Sequence, residues 1–148
     1  RYTLDRSSAA SDVYKRQDIE NLAQLAKKEN ANMVTLYTSL ESNDLANNDV
    51  VKLWLDSNIV KDFSRDVDHL PRKDAKKHIG VYGYKVNFLQ KFIKWKQSEN
   101  EIKRNLEQMR VMDNGEKIYA IESSGKYHIG VDTESDLKQA IEIALDLE

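Results

Sequence analysis

The chain has 148 residues, with 23 Lys plus Arg against 25 Asp plus Glu, for a net charge of −2. That length suits one domain with a real core, and interspersed, nearly balanced charge disfavours a nucleic-acid polymer as partner, because backbone binding needs a basic surplus. Cysteine is absent, which excludes disulfides and thiolate metal sites. No apolar run is long enough to span a bilayer, so no membrane partner is expected and the reading is of a cytoplasmic protein.

Arg1 to Gln17 lacks apolar periodicity. Its end, Asp12-Val13-Tyr14-Lys15-Arg16-Gln17, back-translates as GAT GTG TAT AAG AGA CAG, which is similar to the end sequence of a transposase adapter. Residues 1–17 are therefore expected to be a non-native scar or a disordered arm outside the fold, leaving 18–148 as the domain.

Asp18 is placed to cap a helix in which Ile19, Leu22, Ala23 and Ala26 share a face, ending near Asn30. Met33 to Leu40 is rich in β-formers and reads as a strand. Glu41 to Asp49 is a polar loop. Val50 to Leu55 and Ile59 to Phe63 alternate on either side of Asp56-Ser57-Asn58, a hairpin pattern. Asp66 to Lys77 contains the only proline, Pro71, and reads as a solvated loop.

Lys77 to Tyr84 is the next strand. Lys85 to Trp95 follows as a helix with Val86, Leu89, Phe92 and Ile93 inward. Ser98 to Met112 reads as a second helix, with Ile102, Leu106, Met109 and Met112 on one face and Asn114-Gly115 as its C-terminal stop. Glu116 to Glu122 alternates as a strand. Thr133 to Asp136 has the form of a capping box, opening a last helix striped by Leu137, Ala140, Ile141, Ala144 and Leu145. This order suits a three-layer α/β domain.

Three segments carry polar groups that are expensive to keep on core elements. On a strand, His78, Gly80, Tyr82 and Tyr84 share one face and Ile79, Val81 and Gly83 the other. Glycines there mark a place where a ligand comes close, or the aromatic tips simply meet water at a sheet edge. Glu107 and Gln108 flank the apolar stripe of their helix and can reach over the sheet; alternatively Glu101, Arg104, Glu107 and Arg110 form a solvated ladder of alternating sign. Asp132 lies where a strand gives way to a helix, a position that suits a Mg²⁺ ligand or a helix cap. No P-loop, G-x-G-x-x-G, H-E-x-x-H or nucleophile elbow is present.

Taken in order, these segments resemble the 3-deoxy-manno-octulosonate cytidylyltransferases, the CMP-Kdo synthetases. The resemblance runs from about Asp18 to Leu145 and is carried by Val51-Lys52-Leu53 to Phe63-Ser64-Arg65, by His78-Ile79-Gly80-Val81-Tyr82-Gly83-Tyr84, by Leu106-Glu107-Gln108-Met109-Arg110 with Gly115-Glu116-Lys117-Ile118, and by Gly130-Val131-Asp132-Thr133. It implies an α/β chain forming the C-terminal part of a three-layer nucleotide-diphosphosugar transferase fold with a mixed sheet. It also implies a homodimeric enzyme that uses Mg²⁺ to couple CTP to Kdo, releasing pyrophosphate. Arg65, His78, Tyr82, Glu107 and Gln108 would line the sugar-acid pocket, and Asp132 would be one of two aspartates holding Mg²⁺.

Two departures stand out. Arg104 occupies a position where the resemblance leads one to expect an acid, which points to a variant sugar acid. The family's first half, with its basic glycine-containing nucleotide loop, has no counterpart here, so the chain alone is expected neither to bind CTP well nor to turn over. A synthetase for sialic acid or amino-Kdo, and a non-catalytic α/β binding or dimerisation module, are the competing readings.

Overall fold

A computed structural model describes residues 2–5, 16–67 and 72–124. The elements run β1 (Tyr2–Asp5), α1 (Arg16–Lys28), β2 (Met33–Thr38), β3 (Lys52–Asp56), β4 (Ile59–Ser64), a 3₁₀ turn (Arg72–Asp74), β5 (Lys76–Lys85), α2 (Val86–Phe92), α3 (Glu99–Arg104), α4 (Met109–Asp113) and β6 (Ile118–Glu122). The strands form one sheet in the order β1-β5-β2-β6-β4-β3. Among the described strands only β2 and β6 are parallel; the other pairs are antiparallel. The sheet is mixed, as expected. β5 also pairs with β3 through Lys52↔Lys77 and Leu53↔Lys76, and β4 meets β6 at Ile59↔Tyr119. These pairings close a ring of five strands.

Alternation along β5 divides the core in two. Ile79 and Val81 pack with Val34 and Leu36 under the Leu22, Leu25 and Ala26 stripe of α1. Tyr82 and Tyr84 face the other way, into Leu53, Phe63, Phe88, Phe92, Leu106 and Val111. Each such large side chain contributes about 1.5–3 kcal/mol by leaving water. Gly83 is needed for packing: a methyl there would meet Val34 Cγ2 at 2.8 Å. β1 lies inside the segment set aside by the sequence reading, yet Tyr2–Asp5 pairs antiparallel with Tyr82–Lys85 of β5.

Several expectations are corrected. Helix α1 begins two residues before Asp18, so Asp18 is not its cap; Leu25 replaces the exposed Ala23 on the buried face. Asp18 is instead fully buried. Its carboxylate accepts from Ser123 Oγ at 2.5 Å and from Ser124 N and Oγ at 2.8 Å each, tying α1 to the end of β6. Asp18→Ala orphans these donors and is expected to cost about 1–3 kcal/mol, measured by urea unfolding. An unchanged midpoint would show that water replaces the carboxylate.

In α2, Phe88 is buried beside Phe92 and Ile93 is 66% exposed, the reverse of the expected inward Ile93. The long helix from Ser98 to Met112 is two short ones. Ser98 and Glu101 make a capping box at the start of α3, and Asn105 ends it in the left-handed region at φ 53. Asparagine tolerates that conformation better than other non-glycine residues. The break shifts the helical phase, so Leu106, Met109 and Val111 are buried while Ile102 is 65% exposed. Gly115 adopts φ 76 after α4, as the Asn114-Gly115 pair suggests. Asp132, the Gly130–Thr133 segment and the expected last helix lie outside the described residues.

Candidate functional site

β5 carries His78 and Tyr82 on the face that meets β4. The His78 ring lies edge-on to Phe63 at 5.2 Å between centroids and 5.4 Å from the Tyr82 ring. Tyr82 continues the row to Tyr84 at 6.0 Å. His78, paired with Tyr37, lies next to an irregularity of the β2–β5 ladder, where Thr35 pairs with Tyr82 but Leu36 with Ile79. Burial lowers the His78 pKa to about 3, so the imidazole is neutral. Burial likewise raises the Tyr82 phenol well above its usual 10.0, helped by Tyr84 and Glu107. The phenol therefore remains a donor.

Leu106 and Met109 belong to the same buried cluster as Tyr82, so the Glu107-Gln108 step between them borders that cluster, and the Glu107 charge helps raise the Tyr82 phenol. The left-handed turn at Asn105 makes this possible, since it redirects the chain before α4. Glu107 is exposed, 3.6 Å from Arg110 Nη2. Gln108 is only 5% exposed. Its side-chain amide finds no hydrogen-bond partner among the described residues, although a buried amide without one is costly. The expected ladder of Glu101, Arg104, Glu107 and Arg110 does not exist as a solvated helix face. Arg110 instead forks onto buried Glu101, with Nε–Oε2 at 2.7 Å and Nη2–Oε1 at 2.5 Å, and its guanidinium lies 4.8 Å over the Phe92 ring.

Arg65 follows β4, two residues beyond Phe63. Its Nη1 donates to Asn48 O at 3.2 Å and Asp49 O at 3.1 Å, and among the described residues no hydrogen bond or ion pair joins it to His78, Tyr82 or Gln108. Lys52, fully buried, straps the same region by donating to Asn47 O at 2.5 Å and Arg65 O at 2.6 Å. Desolvation lowers its pKa, against the attraction of Asp44 and Asp66. Arg104 donates to Asp62 Oδ1 at 2.5 Å and Phe63 O at 2.6 Å, so its charge is spent on fastening α3 to β4.

Of the expected residues, His78 and Tyr82 share one sheet face, and Glu107 and Gln108 lie on the segment whose Leu106 and Met109 pack in the cluster of Tyr82. Arg65 stands at the edge with its donors turned to a loop. Sequence reasoning missed Thr35, whose Oγ1 lies 2.9 Å from His78 Nε2, and the buried Lys52; neither is distinguishable by pattern from an ordinary strand residue. Among the described residues no group of three acidic or histidine side chains could hold a metal ion, and no helix is long and apolar enough to cross a membrane.

A mixed sheet covered by helices on both faces, with a polar and aromatic cluster on one of them, defines a nucleotidyltransferase-type α/β fold. The sequence model of the cytidylyltransferase family matches residues 12–118, and the chain belongs to that family. It is 34% identical to the 3-deoxy-manno-octulosonate cytidylyltransferase of Koribacter versatilis (strain Ellin345), over 92% of this chain and 58% of that protein. The Haemophilus influenzae (strain ATCC 51907 / DSM 11121 / KW20 / Rd) protein of the same name is 33% identical, over 86% of this chain and 55% of its own length. Among solved structures, a CMP:2-keto-3-deoxy-manno-octonic acid synthetase complexed with CTP superposes with a TM-score of 0.80 at 26% identity, covering 89% of this chain and 57% of that one. The chain therefore spans little more than half the length of these relatives.

Proposed function

We propose that the chain supplies the sugar-acid side of a cytidylyltransferase that couples CTP to Kdo, releasing pyrophosphate and forming CMP-Kdo. The observation that carries this reading is Gln108: a buried amide lacking a partner in the described residues, set between Leu106 and Met109, which share the buried cluster of Tyr82. Such a group is satisfied when a polar ligand binds. A polyhydroxylated acid matches the inventory around it. The neutral Tyr82 phenol donates, Glu107 accepts, the amide does both, and the Arg65 fork suits a carboxylate once released from its loop carbonyls. In the transfer, the anomeric hydroxyl attacks the α-phosphate of CTP, and these side chains hold the attacking sugar in place.

Asp132 would hold Mg²⁺, which would supply charge neutralisation at the phosphates; the family and the carboxylate's suitability as a hard-oxygen ligand support this. A homodimer is the proposed assembly, supported by two large apolar side chains, Ile93 and Ile102, left in water by this chain. Cytoplasmic location is proposed on the absence of cysteine.

Gln108→Leu tests the reading in the full-length protein. Pyrophosphate release with CTP and Kdo is expected to show the sugar KM raised by roughly ten- to a hundred-fold. Thermal stability without ligand should hold or rise, because an apolar group replaces an unsatisfied amide. A destabilised variant with an unchanged sugar KM would overturn the assignment. Assaying sialic acid and amino-Kdo alongside Kdo decides which sugar acid is used.

A further inference from the structure

The Thr35 hydroxyl is buried at the irregularity between β2 and β5. Its Oγ1 lies 2.8 Å from Val81 O, 3.3 Å from Ile79 O and 2.9 Å from His78 Nε2. A hydroxyl has one hydrogen and two lone pairs. Val81 O, the nearer carbonyl, is displaced from the regular ladder, and a buried carbonyl needs a donor. The hydroxyl hydrogen therefore goes to Val81 O, and Oγ1 faces His78 with a lone pair. For the 2.9 Å contact to be a hydrogen bond, Nε2 must carry the ring proton. A neutral imidazole has only one, so Nδ1 is left as an acceptor.

We propose that Thr35 is a positioning residue: by donating to Val81 O it fixes His78 as the Nε2–H tautomer, so that His78 offers Nδ1 to a hydroxyl of the sugar and not to its carboxylate. The proton on Nε2 stands on the geometry and the bare Nδ1 on the neutral ring; the hydroxyl contact rests on the reading of this face as the sugar pocket. The burial that keeps the ring neutral supports both. An imidazole of the opposite tautomer would present N–H at the same place and favour an anionic group, so the hydroxyl of Thr35 sets which part of an acidic sugar can lie there.

Long-range proton–nitrogen correlation of the ¹⁵N-labelled chain at neutral pH reads the tautomer directly, with the His78 signals assigned by their loss in His78→Gln. Wild type and Thr35→Ser are expected to show Nε2–H alone. Thr35→Val, which keeps the shape but not the hydroxyl, is expected to lose that preference. In the full-length enzyme, Thr35→Val should raise the sugar KM about tenfold, the worth of one hydrogen bond, with kcat nearly unchanged and Thr35→Ser restoring it. An Nδ1–H signal in the wild type overturns the proposal even if Thr35→Val does not fold, and so does Nε2–H persisting in a folded Thr35→Val. A tautomer switch with no change in sugar KM upholds the positioning role and overturns the hydroxyl contact.

Discussion

Replacing Arg110 by methionine is expected to lower the unfolding free energy by about 3–5 kcal/mol, the cost of leaving a buried charge without its partner. The side chains of Glu101 and Arg110 are only 5% and 11% exposed, and the two hydrogen bonds between them are parallel and short. Glu101 also accepts from Ser98 N at 3.2 Å, closing the capping box of α3. The pair therefore joins the start of α3 to α4 across the left-handed turn at Asn105, which carries Glu107 and Gln108. The Arg110 hydrogen bond, with lesser help from Ser98 and Gln97, holds the Glu101 carboxyl below its usual range although burial opposes this. That stability is present above the unfolded carboxylate pKa of about 4.3 and disappears as pH falls through the lower folded value. The gap between wild type and Arg110→Met should accordingly shrink in acid. Glu101→Gln combined with Arg110→Met removes both charges and keeps a capping-box side chain, so the double variant should recover much of the loss. Urea midpoints at constant m-value measure this. A double variant no more stable than Arg110→Met would mean that the arginine acts through its stacking on Phe92.

The sequence disclosed most of the strands because hydrophobic alternation with period two survives burial of one face. The hairpin of β3 and β4, the two faces of β5 and β6 are all visible in it. Helices were harder to read where local chemistry outweighed periodicity. Ser98 to Met112 holds a 3.6-residue stripe, but Ser98-x-x-Glu101 followed by Asn105 is a start and a stop within seven residues, and this shifts Ile102 out of the core. The same turn explains why the charge ladder is absent: Glu101 meets Arg110 nine residues on, and Arg104 meets Asp62 on β4. Long-range partners of this kind have no sequence period. Lys52 shows the same limit, since a lysine within alternating residues reads as outward, whereas two loop carbonyls hold it inside. At the site, the His78–Tyr82 face was visible from spacing, but Thr35 was not, because its role depends on a ladder irregularity between strands 40 residues apart in sequence (roughly, by the pairing register).

Acidification is expected to expose the cost of keeping His78 neutral. Burial holds its pKa at about 3 against an ordinary value of 6.5. Between those values the unfolded chain binds a proton that the folded chain refuses, so each step into acid favours unfolding. The contribution is whole above the unfolded pKa and is lost as pH falls toward the folded one, at up to about 1.4 kcal/mol per pH unit. Over the interval from the unfolded pKa down to about pH 4 this amounts to about 3 kcal/mol. Groups common to both proteins cancel when wild type is compared with His78→Gln at each pH. The stability difference between the two proteins should therefore move against the wild type as pH falls from neutral, when followed by urea unfolding. A difference that stays flat across this range would mean that the imidazole accepts a proton without leaving its place. That result would also remove the reason for treating it as a neutral acceptor at the sugar. With the depressed value, His78 does not change charge near pH 6.5, so an acid limb of the sugar KM profile at that pH must come from another group.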